Sequence, residues 1–264
     1  MSEPPRPGPV SAGPADPFLP AASLEGVPSA FAATRDGIDA LLRDRGLRRT
    51  TPEDTARSLL LGAVATARLE GSDLPAAPDD GEDPAVALLA GGGGDAVARA
   101  AVRLSVELLG LVPVWGRSPV QALARMHALA AAGSVPDEDL GRPADPAGAA
   151  RLNELGRLVT VPTQAPGLVV AALVHAEVAT SGAFAAHGGM VARAAERLVL
   201  VVKGVDPASV LVPEAGHAAE PVGYAGALTA YARGDAAGIQ QWLQYASQAQ
   251  ARAAEAAPLA PGRR

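Results

Sequence analysis

The sequence predicts an all-α chain, a helical bundle of about eight or nine helices, on three observations. About 60 of the 264 residues are alanine, the strongest helix former. Only 3% are aromatic, too few to fill the strands of a sandwich or barrel. Apolar residues recur at intervals near 3.6, in segments separated by glycine or proline.

Residues 1–27 carry Pro4, Pro5, Pro7, Pro9, Pro14, Pro17 and Pro20 with few large apolar side chains, so they are expected to be a disordered leader. From Ser29 the spacing of Phe31, Ile38, Leu41 and Leu42 predicts a first helix, with Gly46 as its stop. A second helix is expected over about 52–70. Thr51 would cap it, Pro52 suits its first position, and Glu53 and Asp54 favour the positive end of its dipole. Its buried face would hold Leu59, Leu60, Ala63, Val64 and Ala67. Prolines, acids and the run Gly91 to Gly94 mark residues 72–94 as a surface loop.

Further helices are expected over 95–111, 119–132 and 146–159. Leu168 to Ala176 is apolar except for His175 and reads as a buried helix or strand, with alanine favouring the helix. After Gly188 and Gly189, the residues Val191, Ala194, Leu198, Val201 and Val205 share one face, with Arg193, Glu196 and Arg197 off it. Helices over 221–233 and 236–256 complete the list. A single helical domain thus spans 28–256, its core about 95–256, and 257–264 is a tail.

Charge and composition exclude several function classes. Twenty-two basic against 28 acidic residues give a net charge of −6, so neither nucleic acid nor an anionic membrane is an expected partner. The absence of cysteine removes disulfides, thiolate nucleophiles and cysteine zinc sites. The first residues lack the layout of a secretion signal and no apolar run is long enough to cross a bilayer, so the expected location is cytoplasmic. Phosphate-binding P-loops, dinucleotide fingerprints and the Gly-x-Ser-x-Gly elbow are missing. His127, His175, His187 and His217 form no i, i+4 pair, so a zinc site could arise only by folding and none is expected. His217, near Glu214, reads as a loop residue.

The segment 171–193 is more informative. Gly188 and Gly189 at a helix start would leave backbone N–H groups open to an anion, and Arg193 lies one turn further in. The plain alternative is a helix-turn-helix corner in which the glycines permit the turn.

Residues 171–194 resemble the core of the Fic (Fido) family, whose motif runs His-Pro-Phe-x-Asp/Glu-Gly-Asn-Gly-Arg-x-x-Arg. Phe184, Gly189 and Arg193 match it, and His175 stands seven residues before its first position, where many family members also carry histidine. Upstream, Thr66-Ala-Arg-Leu-Glu70-Gly71 is similar to the family's inhibitory pattern, Ser/Thr-x-x-x-Glu-Gly/Asn. Tyr224, Leu228, Trp242 and Tyr245 are spaced like its closing helices. The resemblance covers about residues 50–250 and implies nucleotide binding through Gly188, Gly189 and Arg193, with ATP and Mg2+ as the cofactors. It also implies an inhibitory pairing of Glu70 with Arg193.

The departures from the motif bear on activity. Gly182 stands where the family has its catalytic histidine, and Ala186 stands in place of the metal-binding acid. His187-Gly188-Gly189-Met190 replaces Gly-Asn-Gly-Arg. Loss of a positioned general base alone costs about 10²- to 10⁴-fold. His187 falls five residues beyond the base position and would replace it only in a rebuilt loop. His175, inside an apolar helix, reads as a hydrogen-bonded core residue. The expectation is a Fic-domain protein without ordinary AMP transfer, acting as a nucleotide-sensing or partner-binding module for an unknown protein partner. The alternatives are an adenylyl or phosphate-group transferase with unusual residues, and a ligand-free all-α interaction protein.

Overall fold

A computed structural model describes residues 15–45, 50–74 and 95–258. The described residues contain helices and no named strand, with a single isolated bridge between Ala132 and Val135. In chain order the helices are α1 (Leu19–Ala22), α2 (Val27–Arg45), α3 (Pro52–Leu69), α4 (Ala96–Leu108), α5 (Val112–Arg117), α6 (Pro119–Ala131), α7 (Pro146–Val159), α8 (Gly167–Thr180), α9 (Gly188–Val202), α10 (Pro213–Ala218), α11 (Pro221–Tyr231) and α12 (Ala236–Glu255). Short 3-10 turns follow α4, over Leu109–Leu111, and α6, over Asp137–Asp139.

The helix starts follow from side-chain caps. Thr51 and Asp54 form a reciprocal capping box at α3. Asp95, Asp145 and Asp235 each accept an amide three residues on, from Ala98, Gly148 and Gly238. Between these starts, alanine lets helices approach closely.

Helices α8 and α9 pack antiparallel-fashion side by side as the most extensive pair and form the centre of the core. Helix α8 is buried around its whole circumference, from Leu168 through Val178 apart from Glu177. That is why its apolar run is continuous instead of striped. Helix α3 lies against α4 and α10, and α2 against α12. No helix among the described residues is long and apolar enough to cross a membrane.

Several expectations need correction. The leader expected over 1–27 extends too far: Phe18 is buried, α1 begins at Leu19, and the Asp16 carboxylate accepts hydrogen bonds from Thr163 and Gln164. Residues 1–14 lie outside the described residues, as do 75–94 of the expected surface loop and 259–264 of the expected tail, whose Ala257 is buried. Helices α5 and α10 were not expected. In α9, Arg193, Glu196 and Arg197, expected off the apolar face, are all buried.

Candidate functional site

The first turn of α9 opens the site. His187 holds the cap position in the left-handed region, φ 57 and ψ 18, and offers no side-chain cap. Half-buried Gly188 and Gly189 follow. The amides of this turn and the helix dipole therefore favour negative charge from outside the helix.

That charge comes from α3. Glu70 closes this helix, and Gly71 behind it adopts φ +84, which lets the Ser72 amide return to the Ala67 carbonyl at 2.9 Å. The turn presents the Glu70 carboxylate to Arg193 Nη2 at 2.5 Å. Arg193 Nε donates to Thr66 Oγ1 at 3.0 Å and Nη1 to the Tyr224 hydroxyl at 3.3 Å. Arg193 is 2% exposed and Glu70 20%, so the ion pair reaches the surface only on its carboxylate side. A Cβ at residue 189 would stand 2.8 Å from Glu70 Oε1, so only glycine lets the carboxylate lie against the first turn of α9. Thr66, Glu70, Gly71, Gly189 and Arg193, far apart in the sequence, thus meet at one place.

A second ion pair lies one turn further along α9. Arg197 Nε and Nη2 donate to Glu214 Oε1 and Oε2 at 2.9 and 2.6 Å, and Nη1 donates to Ser58 Oγ and Ser209 Oγ at 3.0 and 3.1 Å. This is the bidentate geometry that a planar guanidinium favours. A Cβ at Gly62 would come within 2.6 Å of Glu214 Oε2 and 2.8 Å of Arg197 Nη2, so α3 crosses the pair on a glycine.

The third polar group is Glu196, which is fully buried. Its Oε2 meets His175 Nδ1 at 2.5 Å and His217 Nε2 at 2.8 Å, and Gln250 Nε2 donates to its Oε1 at 3.0 Å. An ionised carboxylate only accepts, so both inward imidazole nitrogens carry hydrogen. The outward nitrogens then accept from the hydroxyls of Tyr224 at 2.8 Å and Tyr245 at 3.2 Å. Burial, then the neighbouring His217 ring, pushes His175 down to about 4 against the pull of Glu196. Burial alone would raise Glu196, but the two imidazoles outweigh it and hold its carboxyl well below the usual range. A continuous chain of contacts therefore runs from Glu70 through Arg193, Tyr224, His175, Glu196 and His217 to Tyr245.

The motif loop contrasts with this seam. Gly182, at the family's base position, is exposed with φ +67, and nothing lies within 4 Å of where its Cβ would be. Phe184 is half-buried and stacks on His127, ring centroids 4.3 Å apart and 13° between planes. His127 accepts the Gly141 amide through Nδ1, and burial lowers its pKa. His187 faces inward, with a buried Nδ1 that has no hydrogen-bond partner, and does not stand at the base position. The Ala186 methyl offers no ligand to a metal ion, so the loop does not fit the Mg2+ site of the family motif.

His175 is the hydrogen-bonded core residue that its helix suggested. His217 corrects the expectation of a loop residue: it is fully buried on α10. Arg197, Glu196, Glu214, Ser58 and His127 were not expected at the site. The available signal was Arg193, Glu196 and Arg197 at i, i+3 and i+4 in an otherwise apolar helix.

Comparison with solved structures identifies the architecture. A Fic family protein from Desulfovibrio desulfuricans G20 superposes with a TM-score of 0.65 at 18% identity, over 84% of this chain and 73% of that one. Two structures of Fic-1 from C. elegans give TM-scores of 0.60 and 0.58, each at 16% identity over 85% of this chain and 70% of theirs. No family model matches the sequence, and no curated protein matches it. The chain has the Fic fold.

Proposed function

We propose that this Fic-fold chain is a nucleotide-sensing module without ordinary AMP transfer, whose anion pocket at the start of α9 is closed by its own Glu70. One observation carries the reading: the Glu70 carboxylate is paired with the Arg193 guanidinium and lies against Gly189 at the start of α9. A phosphate seeks the same partners, a helix N-terminus and an arginine, so ligand and Glu70 compete for one place. Gly188, Gly189 and Arg193 are the ligand contacts, and Thr66, Glu70 and Gly71 form the closing element.

Catalysis is not part of this reading. Gly182 supplies no base to take a proton from a target hydroxyl, and a missing base costs about 10²- to 10⁴-fold. Without an acid at Ala186, any Mg2+ must arrive on the phosphates of ATP. Lost charge stabilisation raises the barrier further, and such losses do not simply add.

Titration calorimetry with ATP and with ADP tests the sensor, on the native chain and on Glu70→Ala. The variant is expected to bind at least one nucleotide about tenfold more tightly, equivalent to about 1.4 kcal/mol of released competition. No binding to either chain overturns the proposal. Covalent transfer from labelled ATP would instead establish the transferase alternative.

A further inference from the structure

Glu196 is a buried carboxylate without a formal counter-charge. The two guanidiniums on its own helix are committed elsewhere, Arg193 to Glu70 and Arg197 to Glu214. Its partners among the described residues are His175, His217 and the Gln250 amide. A charge fully removed from water is costly unless it is paired.

The same three side chains have the chemistry of a metal site. One atom each from His175, Glu196 and His217 lies within 4.8 Å of the others, and all three residues are buried. Two imidazoles and a carboxylate suit zinc and related divalent cations, at bond lengths of about 2.0 to 2.2 Å. We infer that His175, Glu196 and His217 form a binding site for a zinc-type divalent cation that ties α8, α9 and α10 together. This site has its own ligands and uses neither Gly189 nor Glu70, although Tyr224 touches both His175 and Arg193.

The surroundings support both the hydrogen-bonded and the metal-bound arrangement. A cation needs the inward nitrogens, His175 Nδ1 and His217 Nε2, free of hydrogen. Each imidazole stays neutral and moves its one N–H to the outward nitrogen. There the Tyr224 and Tyr245 oxygens, donors in the hydrogen-bonded form, can accept. Tetrahedral ligand atoms stand about 3.3 Å apart, so accommodating the ion takes movements of about 0.5 to 1 Å in the side chains. Gln250, already in contact with Glu196, has a buried Oε1 without a hydrogen-bond partner, a spare oxygen beside the three ligands.

The test uses the full chain, because the cluster is sealed and the ion must enter as the protein folds or opens. The chain is refolded with Zn2+ or Co2+, dialysed against metal-free buffer and assayed for bound metal. About one ion per chain and a four-coordinate Co2+ spectrum are expected, with His187→Ala, outside the cluster, retaining as much. Glu196→Gln, nearly the same shape, should weaken retention by about 100-fold, and Tyr245→Phe, which keeps every ligand, by about 10-fold. Failure of the native chain to retain metal after refolding overturns the inference, as does retention by Glu196→Gln equal to that of the native chain.

Discussion

Two stretches of one helix-loop unit differ in what their residues are for. The loop over 182–187 that leads into α9 carries glycine, alanine, one stacked phenylalanine and an inward-facing histidine. One and two turns later, Arg193, Glu196 and Arg197 are buried and each meets oppositely charged or hydrogen-bonding side chains. The loop offers His187 as its one titratable side chain, while the seam has the groups that hold α3 and α10 onto α9. Buried polar residues can therefore tie helices together beside a loop that is almost free of them.

The largest effect is expected from unpairing the more buried of the two arginine ion pairs. Glu214→Ala leaves the Arg197 guanidinium, 2% exposed, with only serine partners. Loss of one partner from a buried ion pair costs about 3 to 5 kcal/mol, to be read from urea denaturation. The same change at Glu70, which is 20% exposed, should cost less, because water can reach the freed end of Arg193 and Thr66 and Tyr224 still accept from it. A Glu214→Ala cost under about 1 kcal/mol would place the Arg197 pair in the surface class, and equal large costs would make the Glu70 pair as buried in effect as the Arg197 pair.

The sequence disclosed the local features and concealed the distant pairings. Helix α7 occupies Pro146–Val159, the range that its proline start and apolar spacing indicated, and α3 begins at the expected Thr51 cap. The meeting of Glu70 with Arg193 was readable only through the family resemblance, since no spacing rule joins residues 123 positions apart. Helix α5 fills the gap between the helices expected over 95–111 and 119–132, and its Pro113 sits in the first turn, where no intrahelical donor is required. The burial of Arg197 depends on Ser58, Ser209 and Glu214, which come from three other places in the chain. No local pattern records that convergence. His217 was misread because its partners, Glu196 and Tyr245, lie 21 and 28 positions away.

The loop side of the comparison is tested by adding a side chain where none is needed. Gly182→Ala meets no atom within 4 Å, so its cost comes from the backbone, which is held at φ +67. A left-handed residue with a Cβ costs about 1 kcal/mol, well below the expected loss at Glu214. Urea denaturation under the same conditions checks the ranking. A cost above that of Glu214→Ala would mean that the loop, and not the seam, is the constrained part of the unit.

The smallest effect belongs to a carboxylate outside both regions, and it separates exposed anchoring from buried pairing. Asp16 holds the segment before α1 to the turn before α8. Partial desolvation raises its pKa, but donors from the Thr163 hydroxyl and the Gln164, Phe18 and Leu19 amides outweigh this and bring it down to about 2. Because the folded value lies below the unfolded one, the unfolded chain binds the proton more readily. The anchoring is therefore complete above the ordinary carboxylate value of 3.8 and is lost as pH falls from there through about 2. Hydrogen exchange at the amides of residues 18 and 19 should speed up across that window while α9 stays protected. Asp16→Asn should remove the pH dependence at those amides. If α9 loses protection together with them, the exposed anchor and the buried seam belong to one cooperative unit, and the division drawn between them fails.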